Sequence, residues 1–318
     1  MTAIASRVAI HAVGLRKSYG AQVVLDGIDL DVAEGTVYAL LGPNGAGKTT
    51  TVHILSTLIA ADGGQVEVAG HDIRREPDAV RAAIGVTSQF SAVDRFLTGE
   101  ENLLLIADLR HLGARDGRRL AAELLERFDL VAAARKSVST WSGGMQRRLD
   151  LAMTLVGDPR IIFLDEPTAG LDPRSRRTMW QVIRDLVDRG VTIFLTTQYL
   201  EEADRLADRI AVLDRGRLVA EGTPSELKRR VPGGHVRLEF ADASELERAA
   251  STFRGSSRDD ESLALLVPSD GGVRSLRALL DELDQASIDV DGLSVRTPDL
   301  DDVFLSLTDR TDAQEGAA

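Results

Sequence analysis

The chain has 318 residues, 38 Lys and Arg against 50 Asp and Glu, a formal net charge of −12 and no cysteine. That length is enough for one large or two ordinary domains around a substantial core, and the missing cysteines exclude disulfides, thiolate metal sites and cysteine nucleophiles. The acidic balance argues against a general nucleic-acid binder, which needs basic surface to neutralise phosphates.

In chain order, strand-like and helical runs alternate over the first 230 residues, the pattern of an α/β domain. Val8–Leu15 and Val23–Val32 read as strands of an opening β-region. Thr36–Leu41 is a buried strand that enters a Gly-rich loop, and Thr49–Ile59 then has helical spacing. Gly64–Val68 and Ile84–Ser88 follow as strands. From about residue 90 to 158 the character changes to a helical insert, with helical spacing at Leu103–Leu112, Arg118–Phe128 and Met145–Val156. Strand returns at Ile161–Leu164. A helix at Arg176–Arg189, a strand at Val191–Thr196, a helix at Leu200–Ala207 and a hairpin around Arg215-Gly216 complete the region.

Pro232-Gly233-Gly234 is a breaker cluster that marks a boundary. Charge marks it too. Residues 1–230 carry 30 basic and 31 acidic side chains, whereas residues 231–318 carry 8 and 19. Beyond the boundary, strands at Val236–Phe240, Leu263–Val267 and Leu293–Arg296 alternate with helices at Ser244–Phe253 and Val273–Leu283. A last short helix opens at Pro298-Asp299, with Leu300, Val303, Phe304 and Leu307 on one face. This reads as a small α+β module of the split β-α-β kind over 231–308, followed by a flexible tail at 309–318. No run approaches the eighteen or so apolar residues that span a bilayer, and the first 20 residues lack a signal-peptide pattern. The expectation is a chain that stays in the cytoplasm and is able to dock on a membrane protein.

Gly42-Pro-Asn-Gly-Ala-Gly-Lys-Thr49 fits G-x-x-x-x-G-K-[ST] and lies between a predicted strand and a predicted helix, as its mechanism requires. Its glycines let backbone N–H groups point at phosphate oxygens, and the helix N-terminus adds the positive end of its dipole. Lys48, one of only four lysines, is placed to reach the β- and γ-phosphates and Thr49 to ligate Mg²⁺. Arg160-Ile-Ile-Phe-Leu-Asp-Glu-Pro167 puts two carboxylates at the C-terminal end of a buried strand, where α/β sheets present ligands. Asp165 is the candidate for holding Mg²⁺ and Glu166 for general base. Alone, such an Asp-Glu pair is as readily a solvated turn; with the Gly-rich loop it completes a nucleotide site. In Trp141-Ser-Gly-Gly-Met-Gln-Arg-Arg148, Ser142 is positioned as an N-cap, which by itself describes any ordinary capped helix. The five histidines are scattered without metal spacing.

With a Ser-Gly-Gly signature lying between the phosphate loop and the acidic strand end, the chain resembles the ATP-binding cassette (ABC) family over residues 7 to about 230. The resemblance implies an α/β P-loop NTPase fold with a RecA-like core, an antiparallel β subdomain and a helical subdomain. It implies ATP contacts from Gly42, Pro43, Asn44, Gly45, Ala46, Gly47, Lys48, Thr49 and Thr50, with Tyr19 stacked on adenine. Gln89 matches the glutamine that contacts Mg²⁺ or the attacking water. Ser142, Gly143, Gly144 and Met145 would bind the ATP of a second copy, and Asp172, in Ala169-Gly-Leu-Asp172, lies in the loop by which two cassettes touch. Gln198 stands where the family usually has histidine; it can donate a hydrogen bond and orient water but carries no positive charge. With the strings Thr196-Thr-Gln-Tyr-Leu-Glu-Glu202 and Ser-Gly-Gly-Met-x-Arg-Arg-Leu-Asp-Leu-Ala, the chain is similar to the ATP-binding subunits of daunorubicin-resistance-type drug exporters. The implied cofactors are ATP and Mg²⁺. The implied partners are a second copy in a head-to-tail ATP sandwich and a separate multi-span membrane permease, at the cytoplasmic face of the cell membrane, with no nucleic acid. The expected function is ATP hydrolysis driving drug or antibiotic efflux; the alternative is a non-transport ABC ATPase, or an ATP-binding regulatory switch with weak hydrolysis.

Overall fold

The structure, a computed structural model, describes residues 7–87, 92–229, 234–296 and 299–304. Strands β1 (Val8–Tyr19) and β2 (Gln22–Ala33) form a hairpin closed by Gly20-Ala21, with Tyr19 paired to Gln22. The period-2 pattern carries both strands further than the expected spans, because Ile10, Ala12 and Leu15 face inward while His11 and Val13 between them face water. Strand β3 (Val37–Leu41) is buried at all five residues and leads through the Gly-rich loop into α1 (Lys48–Leu55). That helix stops four residues before its expected end. Ser56 bonds its hydroxyl back to the Val52 carbonyl and Thr57 turns to φ +63°, which breaks the helical ladder. Strands β4 (Gly63–Val68) and β5 (His71–Asp72) complete a four-stranded antiparallel sheet of order β2-β1-β4-β5.

After α2 (Pro77–Ala83) and β6 (Ile84–Thr87) comes the helical stretch α3 (Gly99–Leu109), α4 (Ala114–Arg127) and α5 (Gly143–Thr154). Helix α3 starts earlier than the apolar spacing indicates. Thr98 and Glu101 form a reciprocal capping box that satisfies two otherwise orphaned N–H groups. The chain then runs through β7 (Ile161–Asp165), α6 (Pro173–Val187), β8 (Thr192–Thr197), α7 (Leu200–Leu206), β9 (Arg209–Asp214) and β10 (Arg217–Gly222). The second sheet has the order β10-β9-β3-β8-β7-β6, parallel except for β10. Its central strands β3, β7 and β8 are buried along their whole length. This is why they read as continuous apolar runs rather than alternating ones. Tyr38 stacks on Phe194 at 5.6 Å and Phe163 tilts against it at 5.7 Å, pinning three strands together. Each such side chain contributes on the order of 2–3 kcal/mol of burial.

By its internal contacts the chain divides into two compact units, 1–224 and 225–318. The second begins within α8 (Pro224–Lys228) and contains β11 (His235–Glu239), α9 (Ala243–Thr252), β12 (Ser257–Asp259), β13 (Ala264–Pro268), α10 (Val273–Ala286) and β14 (Gly292–Arg296). Its antiparallel sheet has the order β12-β13-β11-β14, the split β-α-β arrangement. Val236, Leu238, Phe240, Leu265 and Leu283 lie in its own core. Residues 300–304 are helical, with Leu300 and Val303 buried. Leu307 and the expected tail lie outside the described residues. Among the described residues no helix is long and apolar enough to cross a membrane.

Candidate nucleotide site

Parallel pairing gathers the site at one end of the sheet. Leu41 is in register with Thr197, and Asp165 with Thr196, so the segments leaving β3, β8 and β7 emerge side by side. The first N–H of the loop, on Gly42, donates to the Thr197 carbonyl at 3.3 Å. Two glycines there are sterically required. A Cβ on Gly42 would lie 2.3 Å from the Leu213 carbonyl oxygen, and Gly47 has φ +110° with Leu25 2.7 Å from the place of its Cβ. Pro43, Asn44, Gly45 and Ala46 form the turn between them, with the Ala46 N–H donating to the Pro43 carbonyl at 3.3 Å. Thr49 and Thr50 follow in the first turn of α1.

Lys48 is only 5% exposed. Its ammonium donates to the Gly42 and Pro43 carbonyls at 2.8 and 3.0 Å and lies 3.9 Å from Glu166 Oε1. Burial lowers its pKa from the ordinary lysine value, while Glu166 and Asp165 act in the opposite direction. The Thr49 hydroxyl donates to Asp165 Oδ2 at 3.0 Å, and the Thr196 hydroxyl donates to Asp165 Oδ1. Thr196 also fixes the next residue: the Glu166 N–H donates to the Thr196 carbonyl at 3.1 Å and to its hydroxyl at 3.2 Å. Glu166 sits at φ +48°, a left-handed conformation that costs a non-glycine residue on the order of 1–3 kcal/mol and persists only where neighbours enforce it.

Lys48, Thr49, Asp165 and Glu166 are thus brought together, and Gln198 is the first residue after β8. Tyr19 stands half exposed at the tip of the β1–β2 hairpin, its ring 5.4 Å from the Lys17 ammonium. Gln89 lies outside the described residues; β6, which it follows, pairs with β7 at Thr87 and Leu164. Ser142 caps α5, its hydroxyl accepting from the Met145 N–H at 3.3 Å. Gly143 opens the helix, and Gly144 packs on Ser175 of α6. Asp172 caps α6, accepting from the Arg174 and Ser175 N–H groups at 3.0 Å each and from the Ser175 hydroxyl at 2.6 Å. That hydroxyl bond, first among several, holds the Asp172 carboxyl below the usual carboxylate range.

Sequence reasoning assigned no role to three residues that border this site. Arg147 of α5 bonds to the backbone after β7. Glu202 of α7, fully buried, accepts from Thr168 at 2.7 Å and Trp180 at 3.2 Å. Ser175 fills the space against Gly144. Arg147 was visible as a cation three residues before Asp150 on one helix face; Glu202 carries no local signal, since Thr168 and Trp180 are distant in sequence, and Ser175 reads locally only as a neighbour of the Asp172 cap, its contact with Gly144 being distant.

A Gly-rich loop between a buried parallel strand and a helix, a buried lysine inside it and a hydroxyl–carboxylate pair beside it define a P-loop nucleotide-binding protein. Residues 25–169 match the family described as ABC transporter, and residues 222–308 match the C-terminal domain described as ATP-binding protein DrrA1-3-like. The chain is 49% identical over 302 residues to the daunorubicin resistance ATP-binding protein DrrA3 of Streptomyces coeruleorubidus, covering 94% of this chain and 96% of that one. It is 48% identical over 305 residues to the daunorubicin/doxorubicin resistance ATP-binding protein DrrA of Streptomyces peucetius, covering 94% and 92%. A dimeric post-hydrolysis ATP-binding cassette bound to ADP and Pi superposes with a TM-score of 0.62 at 25% identity, over 67% of this chain and 98% of that one. The chain belongs to the ATP-binding subunits of ABC transporters, in the family of these daunorubicin-resistance proteins, and is an ATPase.

Proposed function

We propose that this chain hydrolyses ATP as one half of a head-to-tail dimer and drives efflux of a drug or antibiotic through a separate membrane permease at the cytoplasmic face of the membrane. The observation that carries the chemistry is the convergence of Lys48, Thr49, Asp165 and Glu166 at adjoining strand ends. Resistance-protein relatives that match along nearly the whole chain support the cargo class.

Lys48 has two of its N–H bonds on loop carbonyls and its remaining charge toward Glu166. Incoming β- and γ-phosphates compete for that charge and leave the Glu166 carboxylate free to accept a proton from the attacking water. The backbone N–H groups of residues 44–50 bind phosphate oxygens, and Tyr19 stacks on adenine. Gln198 orients the water or the γ-phosphate by its amide. Ser142, Gly143, Gly144 and Met145, at the N-terminus of α5, meet the ATP held by the other copy, and the loop ending in Asp172 meets that copy's site. The donor set fits Mg²⁺. Thr49 and Asp165 supply two hard oxygens 3.0 Å apart, and no described cluster of three or more His, Cys, Asp or Glu is placed to hold a metal. Thr49, Asp165 and Gln89 would hold the cation, which would supply neutralisation of phosphate charge. We also place the functional boundary near residue 230, with the cassette before it and an accessory α+β domain at 231–308.

Phosphate release tests the reading. Glu166→Gln is expected to lower kcat by roughly 10²–10⁴-fold with ATP still bound, and Gln198→Ala by a smaller factor. A Glu166→Gln chain that turns over like wild type removes Glu166 from the chemistry.

A further inference from the structure

The Arg147 side chain lies almost wholly inside the first unit, with 12% of its surface exposed. Its guanidinium spreads over three successive peptide carbonyls: Nε donates to Pro167 at 3.1 Å, and Nη2 to Asp165 at 3.0 Å and to Glu166 at 3.4 Å. Nη1 donates to Asp150 Oδ2 at 3.3 Å, and Asp150 Oδ1 accepts from the Ala92 N–H at 3.1 Å. One planar fork thus joins helix α5, the segment entering the helical stretch at Ala92, and the strained turn that carries Glu166. Only an arginine has donors enough, in fixed geometry, for such a grip.

The turn it holds needs holding. Glu166 is left-handed, and its own N–H is already committed to Thr196. The carbonyls on either side of that strained residue accept from Arg147, and the Glu166 carbonyl also accepts from Ala169 at 3.2 Å. Arg147 lies about one turn from Ser142 and Gly143, at the N-terminal end of α5, the end that the proposed dimer seats on the other copy's nucleotide. A displacement of this helix end therefore pulls directly on the backbone of Glu166.

We propose that Arg147 is a positioning residue that couples the two nucleotide sites, setting the place of this chain's Glu166 according to whether its signature helix is seated on the ATP of the second copy. The inference rests on the reading of Glu166 as base and of the signature as acting across the dimer. Neither partner of the fork touches nucleotide in this scheme; Arg147 acts through the 165–167 backbone. A shift of about 1 Å in a catalytic group can cost on the order of 10²-fold in rate, so a loosened turn lowers turnover without removing any group that binds ATP.

The experiment uses the full chain with Arg147→Lys, which keeps the charge beside Asp150 but cannot span three carbonyls, and Asp150→Asn, which frees the other end of the fork. ATP hydrolysis is followed against ATP concentration. Both variants are expected to lose at least tenfold in kcat with KM changed less than about threefold, and the Hill coefficient is expected to fall toward 1. Adding Arg147→Lys to Glu166→Gln should leave ATP-induced dimerisation intact by size-exclusion chromatography, which also shows that the variant folds. Wild-type kcat and Hill coefficient in Arg147→Lys would overturn the proposal. So would loss of the ATP-induced dimer, because Arg147 would then build the interface itself. Failure of the underlying reading is seen separately, as undiminished hydrolysis by Glu166→Gln alone.

Discussion

Gly144→Ala offers a quantitative test of how the signature helix is seated. The added Cβ would stand 2.5 Å from Ser175 Oγ and 2.8 Å from Ser175 Cβ. Rotating the hydroxyl away forfeits its 2.6 Å bond to Asp172 Oδ2. The Cβ–Cβ approach cannot be relieved by rotation, so the helices must part, at about 1–3 kcal/mol for overpacking. Alanine returns up to about 1 kcal/mol of helix propensity, which leaves a net destabilisation of up to about 2 kcal/mol. Ser175→Gly removes both offending atoms, and the next atom, the Cα of residue 175, is at 3.9 Å, ordinary contact. The double variant should therefore be about as stable as Ser175→Gly alone, with a coupling energy of up to about 2 kcal/mol. Urea unfolding followed by tryptophan fluorescence measures this cleanly, because both tryptophans, Trp141 and Trp180, belong to the first unit. Additivity of the two single changes to within about 0.5 kcal/mol would refute the steric argument. Hydrolysis is expected to stay low in the stabilised double variant, since Gly144 is proposed to face the other copy's ATP. Its recovery would reduce Gly144 to a packing residue.

Other consequences are as direct. Tyr19→Ala removes the proposed adenine-stacking partner, worth about 1–3 kcal/mol per base, so KM for ATP should rise roughly tenfold or more while kcat changes less than twofold in a steady-state titration. Burial raises the pKa of Glu202, so the folded chain keeps this proton to higher pH than the unfolded one. Its stabilising contribution is complete below the unfolded carboxylate range and is lost as pH rises through the folded value. Glu202→Gln keeps an acceptor for Thr168 and Trp180 and cannot ionise, so it should gain stability relative to wild type as pH is raised from 4 toward 8; parallel urea midpoints across that range would contradict the argument. A chain ended near residue 230 should bind a fluorescent ATP analogue as the full chain does, since the loop, β3, β7 and β8 all lie in the first unit.

The elements that sequence located well are those whose signal is local. β3, β7 and β8 announce themselves as apolar runs because both faces are covered, and the loop announces itself because phosphate approach demands glycines at fixed spacing. Helix starts were less legible. α5 begins at Gly143 and α6 at Pro173, two and three residues before their expected starts, although Ser142 and Asp172 are ordinary N-caps in the sequence. Short elements such as β5, α2 and β12 have too few residues to show a period and exist because neighbouring strands or helices receive them.

The division between the two sources of information follows from range. Sequence by itself determined the residue types that nucleotide chemistry requires, their order, and a near-neutral body followed by an acidic one. Those are properties of spacing along the chain. Tertiary structure decided what sequence spacing cannot carry: that Thr49 meets Asp165 across 116 residues, that Thr196 holds Glu166 in a left-handed turn, and that Arg147 grips three carbonyls some twenty positions away. Such contacts depend on register between strands and on the packing of α5 against the end of β7, and no pattern local to either partner encodes them. The net charge of −12 marks where one unit gives way to the next; the parallel register of β3, β8 and β7 is what assembles the site.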